Sequence, residues 1–196
     1  MKNFLKLGLS RHIASAAIGV GMLGVLIGGN VGTAMADTGN GSLAVNAGSL
    51  SETITSVTIN SGSGVTLNGT DQTPSIAMPI TVLDPTGSGA GWHVTIKAGQ
   101  FTGTTSNTHV LPTTAVSMSA VPFTDVTNTT DTDPSGNTVS YPLTVPNVTA
   151  ASMYSAAAGS GLGAFTLNPT MTLKVPANTV PDTYTSTFTV AIVSGP

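Results

Sequence analysis

The chain has 196 residues, only 7% of them charged, with five basic and eight acidic side chains and no cysteine. Without cysteine it holds neither a disulfide nor a thiolate metal site. With so few basic residues it lacks the electrostatic footprint that nucleic-acid binding requires.

The first segment reads as an address and not as fold. Lys2, Lys6 and Arg11 precede a charge-free apolar run over 13–27, and Ala34-Met35-Ala36 supplies a small-x-small cleavage pattern. This predicts a signal peptide over 1–36, cut after Ala36. The apolar run is short for a membrane span and has no basic stop-transfer flank, so no membrane segment is expected after its removal. Residues 37–196 keep Lys97 and Lys174 against eight acids, a formal charge of −6, and hold 32 threonines. β-branched threonine suits the solvated face of a strand.

Apolar/polar alternation with period two then dominates the chain. Residues 37–50 read as a tail or a first edge strand carrying Leu43 and Val45. Val57 and Ile59 alternate with Thr58 and Asn60, and Val65 and Leu67 follow a Gly/Ser turn. Ile76, Met78, Ile80 and Val82 line one face of a single longer strand, in which Pro79 signals an edge or a bulge. Trp92, Val94 and Ile96 line the next strand, opposite His93, Thr95 and Lys97. Val116 and Met118 follow, then the small-residue stretch 150–158 with Met153 and Tyr154, open between helix and loop. Met171, Leu173 and Val175 repeat the alternation. The last strand puts Tyr184, Ser186, Phe188, Val190 and Ile192 on one face and Thr185, Thr187 and Thr189 on the other. Many short strands between Gly/Pro/Asn/Asp turns predict an all-β, antiparallel β-sandwich, Ig-like or related, in a single domain over 37–196.

Two segments point to a known family. One is Val82-Leu83-Asp84-Pro85-Thr86-Gly87-Ser88-Gly89-Ala90-Gly91-Trp92-His93-Val94-Thr95-Ile96. The other runs from Leu173-Lys174-Val175-Pro176-Ala177 through Thr183-Tyr184-Thr185 to Val190-Ala191-Ile192, with Gly159-Ser160-Gly161-Leu162-Gly163-Ala164-Phe165 between them. In this order they resemble the WxL domain of Gram-positive surface proteins over residues 42–196. The resemblance implies an exported protein held non-covalently on the cell wall, with peptidoglycan or another wall glycan as partner. It places ligand-binding candidates at Trp92 and Val94 in the first motif and at Val190 and Ile192 in the second. The first motif carries Val94 in place of leucine, and the second reads Val190-Ala191-Ile192, without a second tryptophan.

Trp92, the only tryptophan in the chain, admits two roles. An indole stacks on the apolar face of a sugar. It also plugs the core of a sandwich, and alternation in phase with Val94 and Ile96 favours the core. Tyr184 and Phe188 share a face with Val190 and Ile192, which favours core for them too.

Other motifs promise less. Asp131, Asp133 and Ser135, followed by Gly136, match the opening of a calcium loop, with Asp125 as an added ligand if the fold brings it near. The twelfth position is Pro142 instead of the closing glutamate, so no cofactor is expected beyond this possible calcium. Leu111-Pro112-Thr113-Thr114-Ala115 is similar to a sorting signal but lies mid-chain and ends in alanine. The glycine cluster 159–163 has no helix after it to make a phosphate loop. Neither a nucleophile elbow nor a marked carboxylate pair is present, so the expectation is a non-enzyme.

Together with the export signal, the family resemblance implies a secreted, cell-wall-associated adhesion module. A net negative charge opposes attraction to anionic wall polymers, leaving calcium or short-range contacts to carry binding. The alternative is a structural subunit of an extracellular fibre, sheath or biofilm matrix, assembling with itself or other surface proteins by strand addition.

Overall fold

The computed structural model describes residues 41–60, 64–126 and 131–196. The predicted signal peptide and its cleavage at Ala36 lie outside the described residues. Residues 44–196 form one compact unit, and no described segment is helical.

The described strands, in chain order, are β1 (Ser51–Ile54), β2 (Thr58–Asn60), β3 (Ser75–Ala77), β4 (Ile80–Asp84) and β5 (Trp92–Ala98). They continue with β6 (Thr102–Gly103), β7 (Val116–Ala120), β8 (Phe123–Asp125), β9 (Leu143–Thr144) and β10 (Ala151–Ala156). The chain closes with β11 (Gly163–Leu167), β12 (Thr170–Leu173), β13 (Tyr184–Thr185) and β14 (Phe188–Ser194). They make antiparallel sheets in the orders β1-β4-β11-β8, β10-β5-β14, β2-β3-β12-β7-β9 and β13-β6. The all-β sandwich predicted from alternation is what forms. The inner faces share one hydrophobic cluster, whose largest buried side chains include Trp92, Phe165, Met78, Ile80 and Ile96.

Three sequence expectations are corrected. The row Ile76, Met78, Ile80 and Val82 is unbroken and at most 2% exposed, yet it is not one strand. β3 belongs to the five-stranded sheet and β4 to the four-stranded one, with Met78 and Pro79 as the crossing. Proline has no N–H to give a ladder. Its carbonyl accepts from Thr55 N at 3.0 Å as the chain changes sheets. The hydrophobic row reports the face turned to the core, which both strands share.

Residues 150–158 are neither helix nor loop but contain β10, paired antiparallel with β5. The register slips between Ser152 and Tyr154. A β-bulge places an extra residue on one strand, and here Met153, Tyr154, Ser155 and Ala156 are all buried in succession. That irregularity erased the period-two pattern. Residues 41–50 carry no strand, and Leu43 and Val45 are each 87% exposed. The tail reading holds for them.

The last strand expected over 184–192 is two: β13 pairs with β6 in a separate sheet, and β14 starts only at Phe188. The alternation survives the break, with Thr185, Thr187 and Thr189 exposed, but the inner face of β14 is only half-buried. The reason is position: β14 is the edge strand beside β5. β5 is central, and even its outer residues His93, Thr95 and Lys97 are half-buried.

Candidate functional site

Trp92 opens β5 and is 0% exposed, as are Val94 and Ile96. Its indole N–H donates to Gly161 O at 2.8 Å, and its ring tilts against Tyr154 with centroids 5.9 Å apart. Gly161 has φ +71°, and a Cβ there would lie 2.6 Å from Trp92 Nε1. Glycine is the residue that permits both the backbone conformation and the close approach. The glycine cluster 159–163 is thus the lid of the tryptophan pocket. A side chain with no exposed surface has no face to stack on a sugar, so Trp92 and Val94 act from inside the sandwich. Of the other two candidates, Val190 and Ile192 sit half-buried on β14, opposite Ile96 and Val94 in the ladder.

The acidic loop is tied to the same glycine cluster. Thr132 N donates to Leu162 O at 2.9 Å, Gly161 N to Asp133 O at 3.3 Å, and Ser135 N to Ser160 Oγ at 3.1 Å. Asp131 Oδ2 accepts weakly from Ala164 N at 3.4 Å. The fold brings Asp125 near: burial chiefly, then the charges of Asp133 and Asp131, push its carboxyl above the ordinary carboxylate value. Among the described residues, no three His, Cys, Asp or Glu side chains are arranged to hold a metal ion.

Two concavities lie elsewhere, against the segment 176–184. One, of about 460 Å³, is walled by Ile59, Leu67, Leu173 and Val175 among others. A second, of about 390 Å³, is bordered by Gln100, Thr108, His109 and Asn178. They share Leu111, Thr179, Val180 and Tyr184, so Val180 and Tyr184 form the ridge between them. An apolar floor with a rim of hydroxyls and amides is the usual composition of a small-ligand cleft.

This segment is irregular, and side chains hold it. The Asp182 carboxylate has no exposed surface. It accepts from Thr105 Oγ1 at 2.6 Å, His109 Nδ1 at 2.9 Å, Thr183 N at 2.7 Å and Thr105 N at 3.2 Å. The Thr105 hydroxyl contributes most to holding this carboxyl well below its ordinary range; burial opposes it, and His109 and the two N–H groups add to it. Gly103 lies against the carboxylate so closely that a Cβ would collide with it. Tyr184 Oη donates to Val180 O at 2.7 Å, and burial with the nearby Asp182 charge raises its phenol. At the other end, Lys174 Nζ meets Asp71 Oδ2 at 2.9 Å, and Ala177 N donates to Asp71 Oδ1 at 3.0 Å. The lysine contact and that N–H both lower the Asp71 carboxyl.

Sequence reasoning did not single out Asp182, His109 or Thr105. The one available signal was a lone acid between hydroxyl-rich turns in Pro181-Asp182-Thr183-Tyr184, noticed only as part of the family pattern. Its partners are more than 70 residues away in sequence.

A buried tryptophan plug, a threonine-clad exterior and a cleft edged by hydroxyls make an all-β module with a candidate binding surface. The chain belongs to the WxL domain surface cell wall-binding family, which it matches over residues 40–196. Comparison with curated proteins gives no match. This is therefore an extracellular, cell-wall-associated, wall-binding domain.

Proposed function

We propose that the domain attaches non-covalently and without catalysis to peptidoglycan, whose glycan strand lies across the Val180–Tyr184 ridge. The observation that carries this is the pair of adjoining clefts sharing Leu111, Thr179, Val180 and Tyr184. Tyr184 is the aromatic side chain lining both, and aromatic rings pack against the apolar faces of sugars. The hydroxyls of Thr108, Thr179 and Thr183 and the amides of Gln100 and Asn178 offer hydrogen bonds along the rim. Trp92, Val94, Val190 and Ile192 serve this reading as scaffold, because they line neither cleft and lie in or against the core. The non-catalytic reading draws support from the His109–Asp182 pair: the carboxylate is saturated by donors and has no exposed surface.

Val180, 48% exposed, is the place to test it. Co-sedimentation with purified peptidoglycan is expected to weaken at least about tenfold, ~1.4 kcal/mol, for Val180→Lys. Val148→Lys, at a residue 76% exposed and outside the clefts, is expected to bind like the parent. Undiminished binding by folded Val180→Lys overturns the proposal.

A further inference from the structure

No described strand is hydrogen-bonded to the β14 edge, although β1 of the neighbouring sheet passes close to it, and the register shows which groups are left over. Thr187 O accepts from Gly99 N at 2.8 Å, and Gly195 N donates to Gly91 O at 2.9 Å. The ladder between these points runs without a slip. In an antiparallel ladder, residues alternate between facing the partner strand and facing away. Odd-numbered residues 187–195 therefore face β5, and the N–H and C=O groups of Phe188, Val190, Ile192 and Ser194 point off the sheet. Among the described residues, none of them has another backbone partner. Natural edges are blunted by lysine, proline, a bulge or a covering segment. β14 has no lysine, proline or bulge over seven residues. Its inner side chains Phe188, Val190 and Ile192 are left half-covered.

The same chain carries a segment outside any sheet whose character matches. Gly48 is pinned by its N–H to Pro85 O at 3.0 Å, and the residues before it form no ladder. In 41–47, Leu43 and Val45 alternate with small or polar residues and are each 87% exposed. This segment also has seven residues and no charge. Residues 44–47, which belong to the same compact unit as β14, pair with no strand of it.

We propose that β14 is the acceptor for residues 41–47 of a second copy of this chain, added as an outer strand with Leu43 and Val45 laid beside Val190 and Ile192. Backbone hydrogen bonds supply affinity in strand addition, and alternate side chains supply register. Each copy carries one donor and one acceptor, a heterologous contact that propagates head to tail. This inference is independent of the glycan cleft, and it specifies the strand-addition alternative: the terminal strand receives a partner instead of reaching out.

The cysteine-free sequence permits a direct test. Full-length exported protein bearing Asn46→Cys or Ala44→Cys is mixed with protein bearing Ala191→Cys and mildly oxidised. A mixed disulfide dimer is expected for at least one pairing, at several times the yield of the same donors with Val148→Cys. Val190→Pro in the acceptor removes an outward N–H without touching the β5 ladder, and is expected to abolish the cross-link. Thr189→Lys, a charge on the exposed face of that edge, serves if the proline variant misfolds. Equal yields with Val148→Cys, or no cross-link, overturn the proposal. So does a disulfide that forms only within a doubly substituted chain, which would assign the edge to the chain's own tail.

Discussion

Trp92 and Gly161 act as one unit, because the indole N–H fills the space a Cβ on Gly161 would need. Trp92→Ala removes a fully buried ring and leaves Gly161 O without its donor, a cost of about 3–5 kcal/mol. Gly161→Ala is expected to destabilise as well, through both the clash and the positive φ. In a Trp92→Phe background the clash with Nε1 is gone, so the cost of Gly161→Ala should shrink. A double-mutant cycle by urea unfolding checks this, and additive costs would show the two residues to be uncoupled. Asp182 gives the second residue-level prediction. Its folded carboxyl lies below the ordinary 3.8, so its contribution is complete above about pH 3.8 and is lost as pH falls through the lower, folded value. Asp182→Asn should lower the urea midpoint at pH 7 and flatten the loss of stability below pH 4. An unchanged acid slope would mean that other carboxylates drive acid unfolding.

At the scale of elements, legibility followed the regularity of pairing. β5 and β14 were readable because each keeps period two through a ladder without a slip on their shared side. β10 was not, since its bulge buries four neighbours in a row and leaves no alternation to detect. β3 and β4 looked like one strand because sheet membership leaves no mark on a row of core-facing side chains. The cleft was harder still. Its walls come from Ile59 and Leu67, from His109, Leu111 and Pro112, and from Leu173, Val180 and Tyr184, which local patterning cannot bring together, and Asp182 is recognisable as a clamp only once Thr105 and His109 are beside it. The bulge makes its own prediction. Tyr141 Oη donates to Met153 O at the bulge, so Tyr141→Phe should cost about 0.5–1.5 kcal/mol. Met153→Ala, which empties a fully buried site, should cost about 2–5 kcal/mol by the same unfolding assay.

For the whole molecule, the controlling quantity is charge. Residues 37–196 have two lysines against eight acids, and one of those lysines is already engaged with Asp71. Approach to a wall bearing anionic polymers is therefore opposed at long range, while the cleft contacts act only on touching. Raising ionic strength from about 10 mM to about 150 mM shortens the screening length from about 30 Å to about 8 Å. Binding to intact walls should strengthen over that range, the reverse of what a basic wall-binding domain would show. On peptidoglycan stripped of its anionic polymers the salt dependence should nearly vanish, because repulsion between domain and wall polymer is gone while the short-range contacts persist. Chelator in both arms separates screening from a calcium bridge at Asp131, Asp133 and Ser135, since only the bridge would be lost with the cation. Binding that weakens with salt on intact walls would mean that attraction between charges, and not the uncharged ridge at Val180 and Tyr184, holds the domain in place.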